Sequence, residues 1–175
     1  MGKRSVKENK NLFQQAREAC GLSREAASDL MGYVSESRIE KIESEKILPT
    51  PEDVLAMAQA YKKPSLNYHY CATICPIGQR TMHNVESKAL SQIVLEILAS
   101  LGGISKERDR LIEISVDGQI ADDELRDFAR IKNQLDDIAQ TVASLQLWID
   151  ETIVANAEGA DSLKRYSEEV DSANP

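Results

Sequence analysis

The sequence predicts an all-α protein: an N-terminal five-helix domain and a C-terminal helical domain with one long heptad-patterned helix. Three observations predict it. Apolar residues recur mostly three and four positions apart, the helical spacing, rather than alternating. Aromatic residues make up only 5% of the chain, and there are 8 Gly and 5 Pro in 175 residues, too few for a strand-and-turn architecture. Charge is also unevenly placed. Residues 1–83 hold 12 Lys and Arg against 10 Asp and Glu, and residues 84–175 hold 9 against 19, within a net charge of -8. Such asymmetry points to two units with different tasks. The expected organisation is a first domain at 1–75, a linker at 76–84, a second domain at 85–157 and a flexible acidic tail at 158–175.

The first helix is expected from Lys10 to Ala19, with Leu12, Phe13, Ala16 and Ala19 on one face and Cys20-Gly21 as its end. Ser23 caps the second, whose inner face is Ala27, Leu30 and Met31. Gly32-Tyr33-Val34 forms a turn, and Ser35 caps a third helix with Ile39 and Ile42 inward. Thr50 caps the fourth, with Pro51 at its first position and Val54, Leu55, Ala58 and Tyr61 as its buried stripe. A fifth short helix is expected at about 65–72. Two short helices joined by a Gly-containing turn within such a cluster form a helix-turn-helix arrangement.

The ordered set Gly21-Leu22-Ser23-Arg24-Glu25, Leu30-Met31-Gly32, Ser35, Ile39-Glu40-Lys41-Ile42-Glu43 and Pro49 resembles the Cro/repressor-like (XRE-type) helix-turn-helix regulators over roughly residues 10–65. The resemblance implies that the third helix enters the major groove of double-stranded DNA. By position it makes Glu36, Ser37 and Lys41 base-reading candidates, with Arg38 close by. Ser35 and Arg24, at helix starts, become phosphate contacts, and Arg17 and Lys46 further ones. Two departures stand out. The step from Gly32 to Ile39 is one residue longer than the family's six, which puts an extra residue, Tyr33, in the turn. The third helix is acidic, and Glu45 stands where the family usually has Gly. That acidity keeps open a second reading, a helix-turn-helix used as an adaptor for a protein partner without DNA contact.

Residues 68–83 hold both histidines and two of the three cysteines. Cys71 and Cys75, four apart, would share a helix face, but with His69 and His83 they make no standard zinc spacing, and neither metal nor cofactor is expected. Helices are then expected at 85–101, ended by Gly102-Gly103, and at 106–116. Glu113–Glu124 falls short of a calcium loop because its first position is not Asp.

The last helix, about 122–157, carries Phe128, Leu135, Val142 and Ile149 seven apart, and Ile131, Ile138, Leu145 and Thr152 three residues later. This heptad row suits pairing with a second copy of the chain, with Trp148 as an anchor, and suits packing within its own domain equally well. A homodimer is the expectation. No Gly-rich phosphate loop and no nucleophile-base pattern nominates a reaction, so no enzyme is expected. Unpaired cysteines and the lack of an apolar leader lead to a cytoplasmic expectation, with no membrane partner.

Overall fold

Side chains that accept the first free backbone N–H groups set where each of the first four helices begins. The computed structural model describes residues 10–116, 121–154 and 157–173. In it Asn11 accepts from the Gln14 amide at 3.0 Å and opens α1 (Leu12–Ala19). Ser23 opens α2 (Arg24–Met31) and Ser35 opens α3 (Glu36–Glu43) in the same way. At α4 (Pro51–Ala60) the cap is reciprocal. The Thr50 hydroxyl accepts from the Asp53 amide, and the Asp53 carboxylate accepts from the Thr50 amide at 2.7 Å. Gly21 and Gly32 follow α1 and α2 at φ 70° and 75°, the left-handed region where a side chain is strained. Two short helices follow, α5 (Ser65–Thr73) and α6 (Gly78–Thr81).

The core of this region is Phe13, Ala16, Ala27, Met31, Val34, Ile39, Ile42, Val54, Met57, Tyr61 and Leu66. Two expected core residues, Leu30 and Leu55, are exposed. Helical geometry explains both. With Ala27 and Met31 inward, Leu30 is turned about 100° away from Met31, and Leu55 is turned as far from Val54. The buried stripe of α4 is Val54, Met57, Ala58 and Tyr61. Ala19 is also exposed, and Gln14 and Arg17 fill the inner side of α1 instead.

The chain divides into two units, residues 1–84 with 150–175, and residues 85–149. In the first unit, Asp150–Val154 forms one π-helical turn, whose Asp150 accepts from the Tyr68 hydroxyl at 3.3 Å and whose Glu151 pairs with Lys63 at 3.2 Å. Where the sequence suggests a polar tail, residues Ala157–Ala173 form a full helix, α9, with Leu163, Tyr166 and Val170 along one exposed side. Cys75 lies beyond the end of α5, so it does not share that helix with Cys71. Gly78 sits so close to α5 that a Cβ there would meet the Cys71 carbonyl oxygen at 2.0 Å.

The second unit is an antiparallel pair, α7 (Leu90–Ser115) and α8 (Leu125–Ile149). Arg110 bonds to Asp127 at 2.7 Å, Arg130 to Glu107 at 2.8 Å, and the Ser100 and Thr141 hydroxyls meet at 3.5 Å. The expected break at Gly102-Gly103 is absent, and one 26-residue helix runs through both. Interior glycines cost a helix about 1 kcal/mol each, which the many bonds of a long packed helix outweigh. Gly103 lies against the Gln134 side chain on α8. Asp117, Gly118 and Ile120 of the calcium-loop comparison lie outside the described residues. No described helix is long and apolar enough to cross a membrane.

Candidate nucleic-acid interface

α3 buries Ile39, Ile42 and Glu43 and turns Glu36, Ser37, Glu40 and Lys41 to solvent. Its inward side is fixed by charge as well as by apolar packing. The Glu43 side chain is 1% exposed and takes two bonds from Arg17, at 2.5 and 3.0 Å, and one from Arg24 at 2.8 Å. Arg17 also donates to the Leu22 carbonyl at 2.6 Å. One carboxylate thereby joins α1, α2 and α3. Burial pulls the Arg17 guanidinium toward losing its proton, and the Glu43 bonds and charge more than reverse this, leaving it firmly cationic. Burial, then the Glu43 charge, pushes the Tyr61 phenol well above its usual range.

A second pair ties α3 to α4. Arg38 donates through Nε and Nη2 to the two Asp53 oxygens at 2.7 and 2.5 Å. Burial pushes the Asp53 carboxyl up, but the Arg38 and Thr50 bonds outweigh it and hold the group below the ordinary carboxylate range.

These contacts sort the eight residues that sequence nominates. Glu36, Ser37 and Lys41 stand together on the outer side of α3, and Ser35 is exposed at its N-terminus while accepting from the Arg38 amide. Arg38 is half-buried and committed to Asp53. Arg24 is half-buried at the start of α2 and committed to Glu43. Lys46 is exposed and reaches Glu40 at 3.4 Å. Arg17 is a correction to the phosphate assignment: its side chain is 7% exposed and enclosed by the core. The residues that sequence reasoning missed are Glu43 and Asp53, which hold α3 in place. Arg17 and Glu43 are 26 positions apart, and no local pattern marks such a pair.

The turn between α2 and α3 accommodates its extra residue by turning Tyr33 outward, where its hydroxyl donates to the Glu52 carbonyl at 2.8 Å, while Val34 is buried. Glu45, just past α3, adopts φ 59°. Two short helices meeting across this turn, with the second held from behind and bare in front, define the motif. Residues 13–66 match the helix-turn-helix family model. This helix-turn-helix, of the XRE type found in DNA-binding regulators, comprises α1 to α4 and the start of α5. No curated protein and no solved structure matches the chain.

Among the described residues no three His, Cys, Asp or Glu side chains converge as a metal would require. The three cysteines are free thiols, with Cys20 donating to the Tyr61 carbonyl at 2.9 Å. His69 packs edge-on against Phe13, ring centres 6.2 Å apart, and burial lowers its pKa.

Proposed function

We propose that the chain is a sequence-specific transcriptional regulator that binds a two-fold-symmetric DNA site as a homodimer. The observation that supports it best is the bare outer side of α3, with Glu36, Ser37, Glu40 and Lys41 exposed and its inner side pinned to three other helices. Lys41 donates to guanine O6 and N7, Glu36 accepts from cytosine N4, and Ser37 bonds to either base edge. Ser35 and Arg24 approach phosphates with the N-termini of α3 and α2, and Lys46 adds a backbone contact. Dimerisation belongs to the second unit, whose α8 carries the heptad row Phe128, Leu135, Val142 and Ile149 with Ile131, Ile138, Leu145 and Trp148 beside it. Such a regulator acts in the cytoplasm, where its DNA lies.

One feature favours a second reading, an adaptor that binds a protein partner: Glu36, Glu40 and Glu45 are all exposed around the groove-facing side. Fluorescence anisotropy on labelled genomic fragments across a salt series separates the two. On the regulator reading, Lys41→Ala weakens association by roughly 10- to 100-fold, the worth of one good base contact. Glu36→Gln with Glu40→Gln strengthens it several-fold at low salt, because two charges facing phosphate are removed. Indifference of DNA association to both changes favours the adaptor instead.

A further inference from the structure

The two-helix unit has two unlike sides. On α7, Leu90, Val94, Leu98, Leu101 and Ile112 are all exposed and fall within roughly 80° of arc at 100° per residue. On α8, Phe128, Leu135 and Val142, seven apart, are exposed in the same manner. The seam between the helices is marked by Ser100 with Thr141, Glu107 with Arg130 and Arg110 with Asp127. On both helices the apolar stripe lies ahead of the seam in the direction of winding, by about two-fifths of a turn on α7 and about a third on α8. The helices run antiparallel, so offsets in the same sense bring both stripes to one side of the pair. The other side is polar and holds a cleft lined by Lys88, Glu96, Gln134, Asp137 and Gln140.

We infer that this apolar side docks on the same side of a second copy, giving an antiparallel four-helix bundle rather than a coiled coil of α8 with α8. The inference rests on the dimeric reading above and specifies its surface. The heptad of α8 is already divided within the chain. Ile131 is fully buried, Ile138, Leu145 and Ile149 are half-buried, and of the two heptad rows only Phe128, Leu135 and Val142 remain exposed. What remains open on α8 is narrower than a two-stranded coiled coil uses, and α7 supplies the rest.

Three observations name a second copy as the occupant. The eight side chains leave several hundred Å² of apolar surface bare, the scale of the ~800 Å² per partner in a stable interface. The residues interleaved with the two stripes are Ser105, Arg108, Ala139 and Gln146, none of them a carboxylate, and Asp109 stands only at the edge of the α7 stripe, so two chains of net charge -8 can meet here with little acid against acid. The side is made of two antiparallel helices of nearly equal length, 26 and 25 residues, which a two-fold rotation places on themselves in register.

Sedimentation equilibrium of the full chain at micromolar concentration tests the proposal. The wild type should give twice the 19.4 kDa chain mass. Leu98→Glu with Leu101→Glu on α7, and separately Leu135→Glu on α8, should each give the single-chain mass. Leu95→Glu should remain dimeric, because Leu95 is 68% exposed but lies on the polar side. A wild-type monomer overturns the proposal, as does a dimer that survives the α7 changes while the α8 change dissolves it, which is the α8 coiled coil. If circular dichroism shows a glutamate variant unfolded, alanine replaces it. Leu98→Ala and Leu135→Ala should each weaken the dimer by ~10-fold or more while Leu95→Ala leaves it within about 2-fold, and equal effects at all three sites overturn the proposal. The mass needs no DNA, so failure here leaves the Lys41-dependent association as a separate result.

Discussion

Glu45 shows how one residue departs from what its backbone asks for. At φ 59° it occupies the left-handed region, which costs a residue with a Cβ about 1–2 kcal/mol. Glycine removes that cost but adds about 0.5–1 kcal/mol of chain freedom to the unfolded state. The first effect is the larger, so Glu45→Gly should raise stability by about 0.5–1 kcal/mol, read as a higher urea midpoint by circular dichroism. Glu45→Ala keeps the strain and should leave the midpoint where it is. An equal gain from alanine would trace the effect to charge instead. Buried charges obey a different logic. Arg17 and Glu43 satisfy each other inside the core, so Arg17 acts by joining α1 to α3 rather than by reaching phosphate.

Among the elements, α3 is positioned by its neighbours at both ends, through Glu43 to α1 and α2 and through Arg38 to Asp53 of α4. The second tie depends on pH in a defined direction. The folded chain holds the Asp53 carboxyl below its ordinary range, so the folded state binds that proton less readily than the unfolded chain. The stabilisation is complete above the unfolded carboxyl value, about 3.9, and is lost as pH falls through the lowered folded value. Asp53→Asn should therefore cost about 1–2 kcal/mol at pH 7, where it weakens both the cap of α4 and the Arg38 pair. The gap from wild type should narrow in thermal melts as pH drops below 4. A gap that stayed constant down to pH 2 would mean the Asp53 charge contributes nothing.

The starts of α2 to α4 were legible in the sequence because Ser, Thr and Pro signals are local, whereas Ser35, Glu36, Ser37 and Lys41, all exposed on or at the start of α3, were nominated by the family resemblance. The ties through Glu43 and Asp53 were not legible, since nothing within a helix reports which residue from another helix will meet it. Gly102-Gly103 misled for a related reason. A glycine pair is a stop signal in isolation, and only the packing of α7 along α8 overrides it.

For the whole molecule the difficulty is charge. A chain of net -8 approaching a polyanion gains little from long-range attraction, and the outer side of α3 carries Glu36 and Glu40 beside Lys41. A single helix-turn-helix of this kind should bind a half-site weakly. Two copies change the balance without any new contact to DNA. Once one helix-turn-helix is seated, the second searches at an effective concentration that a joined pair sets in the millimolar range, and affinity rises by about 10²- to 10⁴-fold over one half-site. Two half-sites one helical turn apart, about 10 base pairs, are the spacing a two-fold pair of such motifs reads. Leu98→Glu with Leu101→Glu should therefore lose at least ~100-fold in affinity for a fragment carrying both half-sites, yet bind a fragment with one half-site as the wild type does. Lys41→Ala should weaken both fragments, and per half-site to the same degree. Titrations by anisotropy on the paired and single fragments measure all four values. If the paired fragment is bound equally by wild type and the α7 variant, the two-helix unit does not couple the DNA contacts, and its apolar side serves some other assembly.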